Sequence, residues 1–191
     1  MGIKNYLIDG GSGTGKTTVA QELHNRGYHV LHGDRELRYR GDPSTGRPLE
    51  EPSHKNEKDK AIWRQKHQLW NLDKVHSVIA DKSTPISFFC GGARNTDQFT
   101  DLLDGVFILD VADINIIFER LDERVARDPT DFGGKPEEKE LVSELHKTKE
   151  DISKIGIIID ATAPLESVVR TILSHCAEPE QKPAPSQNNI K

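Results

Sequence analysis

The chain has 191 residues, of which 34% are hydrophobic and 30% charged, with a formal net charge of −5. That composition suits one soluble domain with its own core. It excludes a membrane span, because no apolar run approaches about 20 residues, and its negative balance argues against a broad nucleic-acid footprint. Cys90 and Cys176 are too few for a disulfide framework or a four-ligand zinc site and read as free thiols of a reducing cytoplasm. The first apolar run lies so near Met1 that no signal or transit peptide is expected.

That run, Tyr6–Ile8, reads as a strand. Gly10-Gly11-Ser12-Gly13-Thr14-Gly15-Lys16-Thr17 follows it and matches the phosphate-loop pattern G-x-x-x-x-G-K-[ST] at every fixed position. A helical stretch begins at Thr17. Glycines let backbone amides converge on phosphate oxygens, and the helix that follows turns its positive end toward the same anion. Gly11, Ser12, Gly13, Thr14, Gly15, Lys16, Thr17 and Thr18 are therefore the expected phosphate cradle. Lys16 reaches the β- and γ-phosphates of ATP, and Thr17 can ligate Mg²⁺ through its hydroxyl. The alternative is a glycine-rich strand-to-helix turn without a ligand.

Tyr28–Leu31, Pro85–Cys90, Val106–Leu109 and Ile155–Ile159 are further short apolar runs without polar alternation, as buried parallel strands require. Helical stretches separate them. The pattern predicts an α/β fold: a five-stranded parallel sheet with helices on both faces and ligands outside the carboxyl ends of the strands. Asp34, Arg35, Gly92, Arg94 and Thr162 follow those ends. The segment Arg40–Ser53 reads as an exposed loop. Glu57–Ala80 reads as one long helix with Trp63 and Trp70 on a shared face, for packing or for stacking on a substrate ring.

Ile114–Arg127 reads as an amphipathic helix whose core stripe is Ile114, Ile117, Phe118, Leu121 and Val125. Arg120, Arg124 and Arg127 form a second stripe about a quarter turn away. They suit an anion between them, or else a solvated face paired with Glu119 and Glu123. Asp128-Pro129 stops the helix, Gly133-Gly134 suits a hinge, and Pro136 fits the first turn of the next helix. The histidines show no metal-ligand spacing. Residues 177–191 are polar, proline-containing and aperiodic, and read as a disordered tail beyond a domain of residues 1–176.

Gly10–Thr17, His32-Gly33-Asp34, Gly91-Gly92-Ala93-Arg94-Asn95-Thr96-Asp97-Gln98 and Asp160-Ala161-Thr162-Ala163-Pro164-Leu165-Glu166 together resemble the P-loop kinases of the nucleoside monophosphate kinase-like group, relatives of adenylate, shikimate and gluconate kinases. The resemblance spans roughly residues 3–173 and is closest to small bacterial nucleoside or nucleotide kinases. It implies the P-loop nucleoside triphosphate hydrolase fold with a short lid at about 127–137. It implies transfer of the γ-phosphoryl group of Mg·ATP to a nucleoside monophosphate or nucleoside, or alternatively to a sugar acid or other hydroxylated metabolite. Asp34, Arg35, Arg38, Gly92, Arg94 and Gln98 would hold the acceptor, Thr162, Ala163 and Pro164 would border the adenine ring, and Arg120, Arg124 and Arg127 would clamp the phosphoryl group. Asp34 could serve as base, metal ligand with Thr17, or helix cap. Two departures stand out. Cys90 and Gly91 occupy the strand end where the family usually has a metal-holding Asp, and the run Asp34-Arg35-Glu36-Leu37-Arg38 is one residue longer than the family's. The missing Asp keeps a further alternative open, a nucleotide-dependent switch or ATPase with no acceptor. The expected partner is a small molecule, with no nucleic acid and no membrane, and the chain a monomer or homodimer.

Overall fold

The computed structural model describes residues 3–176. Strands β1 (Lys4–Gly10), β2 (His29–His32), β5 (Ile86–Cys90), β6 (Gly105–Asp110) and β7 (Ile157–Asp160) form one sheet in the order β2-β5-β1-β6-β7. Every pairing in it is parallel. The five apolar runs are these five strands, with ends moved by one or two residues. The central strand β1 is buried on both faces and its side chains alternate between two cores. Tyr6 and Ile8 enter one, with Val19, Ala20 and Leu23 of α1 (Lys16–Asn25), Ile117 and Leu121 of α5 (Ile114–Arg127), and Val168, Val169 and Ile172 of α7 (Leu165–Cys176). Leu7 enters the other, with Phe89, Ile108, Phe99 and Val75. A period of two on a strand makes that division unavoidable.

The helix α5 has the limits read from its periodicity, and Ile117 and Leu121 are its buried residues. After the loop 128–135, α6 (Pro136–Thr148) opens with Pro136 in its first turn. Gly133 and Gly134, read as a hinge, are closely packed. A Cβ at Gly133 would meet Leu121 at 3.0 Å, and one at Gly134 would meet Val125 at 2.9 Å. Among the described residues no helix is long and apolar enough to cross a membrane. Cys90 and Cys176 are free and buried. The tail 177–191 lies outside the described residues.

The long helix expected over Glu57–Ala80 is corrected. It is α3 (Glu57–Lys66), a short strand β4 (Gln68–Trp70), and α4 (Leu72–Ala80). Strand β4 pairs antiparallel with β3 (Arg38–Arg40). Two forces override the helical period. Asn71 caps α4 by accepting the amide of Lys74 at 3.0 Å. Trp70 is fully buried, stacked on Phe99 with ring centroids 5.5 Å apart, a burial worth about 2–3 kcal/mol. The buried Asn95 side chain holds this strand by its backbone, accepting from Trp70 N and donating to Trp70 O at 3.0 Å each. Trp63 and Trp70 therefore share no face. Trp63 stacks on His67 at 4.5 Å instead.

The Trp70 ring fills the space above Gly33, where a Cβ would fall 1.9 Å from Cζ2. We expect Gly33→Ala to cost about 1–3 kcal/mol through overpacking. Adding Trp70→Phe, which removes the clashing atom, should make the double mutant less destabilised than the sum of the two single changes. Urea denaturation of the four proteins measures that coupling.

Candidate active site

The carboxyl ends of β1, β2, β5 and β6 open into one cleft of about 1290 Å³. Residues Gly10–Thr18 line it on one side, and Asp34, Arg35, Arg38, Gly92 and Arg94 are also among its lining residues. Arg120, Arg124 and Arg127 border it from α5, and Ala161 and Ala163 from the turn before α7.

The phosphate loop is built as its glycines require. Gly13 and Gly15 have φ of +81° and +99°, in the region that favours glycine. Close packing adds to this at Gly13, where a Cβ would meet Ile117 Cγ2 at 2.7 Å. The Lys16 ammonium bends back to donate to the carbonyls of Gly10 and Gly11, the latter at 2.8 Å. Thr17 is exposed at the head of α1. Arg120 joins the loop to the turn before α7, donating to Thr14 O at 3.4 Å and Ala161 O at 2.8 Å. Arg124 donates to Phe132 O and lies 3.9 Å from Asp131 Oδ2, while Arg127 donates to Glu123 O at 3.1 Å. The stripe is thus held by backbone carbonyls. Among the described residues neither Glu119 nor Glu123 forms an ion pair with it.

Asp34 lies within the short helix α2 (Gly33–Glu36), and His32 stands at the cap position. The cap reading of Asp34 is therefore set aside. Its Oδ1 accepts from Gln68 Nε2 at 3.0 Å, a contact that depends on the β3–β4 pairing. Arg94 is in the cleft but heavily engaged. Nε donates to Gln65 O at 3.2 Å, Nη1 to Glu150 O at 2.7 Å, and Nη2 to Gln65 Oε1. Gln98 is exposed in a short 3₁₀ turn and is not among the cleft residues. Thr162 is occupied by Asp160, to which its hydroxyl donates at 2.6 Å, and neither it nor Pro164 lines the cleft.

No protein-family model matches the sequence, and no curated protein matches it. Solved structures do. A gluconokinase from Sinorhizobium meliloti 1021 is 20% identical, with 90% of each chain covered and a TM-score of 0.52. A shikimate kinase from Bacteroides thetaiotaomicron is 17% identical, with 91% of this chain and 98% of that one covered and a TM-score of 0.56. A sugar kinase from Janibacter sp. HTCC2649 is 20% identical, with 90% and 93% covered and a TM-score of 0.53. The fold is that of the small P-loop kinases. Identities this low carry the fold and leave the chemistry to be argued from the residues.

Sequence reasoning missed two carboxyl groups. Asp9, at the end of β1, is 1% exposed. One of its oxygens accepts from Gly10 N at 2.7 Å and the other from Ser153 N at 2.8 Å. Burial pushes its carboxyl up to about 6, against the pull of those two amides and of Lys16. Asp151 lines the cleft, and burial raises its carboxyl too, opposed by Lys16 and Arg94. An acid directly before the first glycine of the loop was the one available signal for Asp9. Nothing in the sequence pointed to Asp151, some 140 residues away.

The residues fit a hydrated Mg²⁺ accompanying a triphosphate. Among the described residues no three His, Cys, Asp or Glu side chains form a metal cage. Thr17 and Asp34 both line the cleft, and Mg²⁺ takes most of its ligands from phosphate and water.

A pH prediction follows from Asp9. Its folded value lies above the ordinary 3.8. Its contribution to stability is therefore full below that value and lost as pH rises through about 6. Asn does not titrate. Relative to Asp9→Asn, the wild-type chain should lose about 2 kcal/mol of stability between pH 4 and pH 8. Urea unfolding of both proteins at the two pH values checks the sign and the size.

Proposed function

We propose that the chain is an ATP-dependent phosphotransferase acting on a hydroxyl group of a small acceptor. The carrying observation is that Asp34 and the complete phosphate loop line the same cleft, with Asp34 fixed by Gln68 rather than spent as a cap. The loop amides and Lys16 hold the donor phosphates. Thr17 and Asp34 would hold Mg²⁺, which when bound neutralises phosphate charge. With a hydroxyl acceptor Asp34 would instead serve as the base that takes its proton. The acceptor oxygen then bonds to the γ-phosphorus as the bond to the β–γ bridging oxygen breaks, and ADP leaves with the charge. Arg120, Arg124 and Arg127 add positive charge along the donor side. Carbonyls hold Arg120 and Arg127 in place without neutralising them, while Arg124 also lies at ion-pair distance from Asp131.

A nucleoside is one such hydroxyl acceptor, and a sugar acid or related metabolite is another. Phosphoryl transfer to a nucleoside monophosphate is the second reading, favoured by the presence of Arg94 in the cleft. Two observations weigh against it. Gln98, its expected companion, stands outside the cleft residues, and all three Arg94 nitrogens already have partners.

ATP consumption measured against nucleosides, nucleoside monophosphates and hydroxylated acids identifies the acceptor. With a hydroxyl acceptor, Asp34→Asn should lower kcat by about 10²–10⁴, and saturating Mg²⁺ should not restore it. Lys16→Ala should abolish turnover and weaken ATP binding while leaving the thermal transition in place. Full activity in a folded Lys16→Ala protein would remove the donor site from this reading.

A further inference from the structure

Residues 149–153 cross the carboxyl ends of β1, β5 and β6. Lys149 follows α6 with φ of +53°, and among the described residues it is the one non-glycine at positive φ. That left-handed step turns the chain out of the helix at once. Three ties then fix the segment. Lys149 Nζ donates to Asp110 Oδ1 at 2.8 Å, Glu150 O accepts from Arg94 Nη1 at 2.7 Å, and Ser153 N donates to Asp9 Oδ2 at 2.8 Å. Asp151 lies between them and lines the cleft. Its carbonyl oxygen passes 3.8 Å from the point where a Cβ on Gly92 would stand, so the segment rests on the end of β5.

The other acids at these strand ends have partners. Asp9 holds two backbone amides, Asp110 holds Lys149, and Asp34 accepts from Gln68. Asp151 is half-buried. Among the described residues no cation lies at ion-pair distance from it. Burial raises its carboxyl, and the charges of Lys16 and Arg94 pull it back. It therefore stands within electrostatic reach of the lysine that meets the donor phosphates. A carboxylate and a polyphosphate gathered there repel each other unless a cation lies between them.

We propose that Asp151 is a positioning residue for the metal of the donor, its carboxylate accepting hydrogen bonds from water ligands of the Mg²⁺ that accompanies the triphosphate. This rests on the phosphotransferase reading and adds a residue to it. Strand β5 ends on Cys90, and Gly91 and Gly92 follow, so it brings no acid of its own to the cleft. With Asp34 engaged as base, Thr17 is the protein ligand that remains, and Asp151 is the carboxylate still without a partner. Mg²⁺ keeps several of its waters, so a carboxylate can hold it without entering the inner shell. Partners of that kind set metal affinity by about 10–100-fold. The three ties on residues 149–153 fix the backbone of Asp151 before any ligand arrives.

The test needs neither turnover nor an acceptor. A non-hydrolysable ATP analogue is titrated into the full chain by calorimetry, once with EDTA and once with saturating Mg²⁺. The wild-type protein should bind the analogue more tightly with the metal, and the ratio of the two affinities measures the coupling between them. Asp151→Asn should shrink that ratio about tenfold or more. In EDTA the same variant should bind the analogue as tightly as the wild type or more tightly, because a negative charge facing the phosphates is gone. Asp151→Glu keeps the charge and should recover part of the ratio. Loss of affinity in Asp151→Asn by the same factor with and without Mg²⁺ would mark a structural role and overturn the proposal. An unchanged ratio in Asp151→Asn would overturn it too, as would a wild-type affinity that Mg²⁺ does not raise. Failure of the analogue to bind the wild type under both conditions would instead count against the donor site and the phosphotransferase reading.

Discussion

The buried carboxylate of Asp9 is the joint on which the cleft is assembled. It ends the central strand, where the chain leaves the sheet for the phosphate loop, and it accepts the first amide of that loop. Its other oxygen accepts from Ser153, in the segment that follows α6. The same segment is tied to β6 by Lys149 on Asp110 at 2.8 Å, and to the turn after β5 by Arg94, which donates to Glu150 O. Residues 149–153 therefore strap the carboxyl ends of three strands. A charge so deeply buried opposes folding at neutral pH, and the two amides and Lys16 only reduce that cost. Its effect is geometric: the glycine-rich loop, the strap and Arg94 are held in one fixed relation.

The cleft gathers cations from elements that are far apart in sequence, inside a chain whose total charge is negative. Carbonyl oxygens orient several of them, and Arg94, Arg124 and Lys149 also lie at ion-pair distance from Glu150, Asp131 and Asp110. Lys16 rests on Gly10 and Gly11, Arg120 on Thr14 and Ala161, Arg124 on Phe132, Arg127 on Glu123, and Arg94 on Gln65 and Glu150. Carbonyl dipoles orient a cation while leaving its net charge in place. An ion pair would cancel the charge and be lost on ligand binding. On the surface Arg26 on Glu22, Lys58 on Glu140 and Lys139 on Asp122 are paired acid to base.

What was legible in the sequence was local and periodic. The loop from Gly10 to Thr17 is contiguous, and its chemistry leaves little choice of shape. The helix Ile114–Arg127 announces itself because burial of Ile117 and Leu121 and the period of 3.6 agree. The five strands were legible because a sheet covered on both faces needs apolar runs. What stayed hidden was decided by partners distant in the chain. The stretch 57–80 has helical composition, and only the pocket formed by Gly33, Phe99 and Asn95 draws Trp70 out of that pattern. Asp34 acquires its partner through the same break, since Gln68 belongs to β4. Arg40, at the edge of a stretch read as loop, becomes part of the cleft for that reason alone.

The glycine pair after β5 shows why that strand end carries no acid of its own. Gly91, with φ +141°, has no room for a side chain, because a Cβ there would lie 3.1 Å from Asp34 Oδ1 and 3.0 Å from the Trp70 ring. A Cβ at Gly92 would lie 3.0 Å from Asp9 Oδ1. The space above this strand end is taken by carboxyl groups reaching in from either side, Asp34 from beyond β2 and Asp9 from β1. An acid on β5 would add a third charge to a place that two already share, and like charges at such distances raise one another's cost. The absence of an acid at Cys90-Gly91 is therefore no deficit of negative charge. The same strand end is supplied by its neighbours, and glycine is the residue that makes their approach possible.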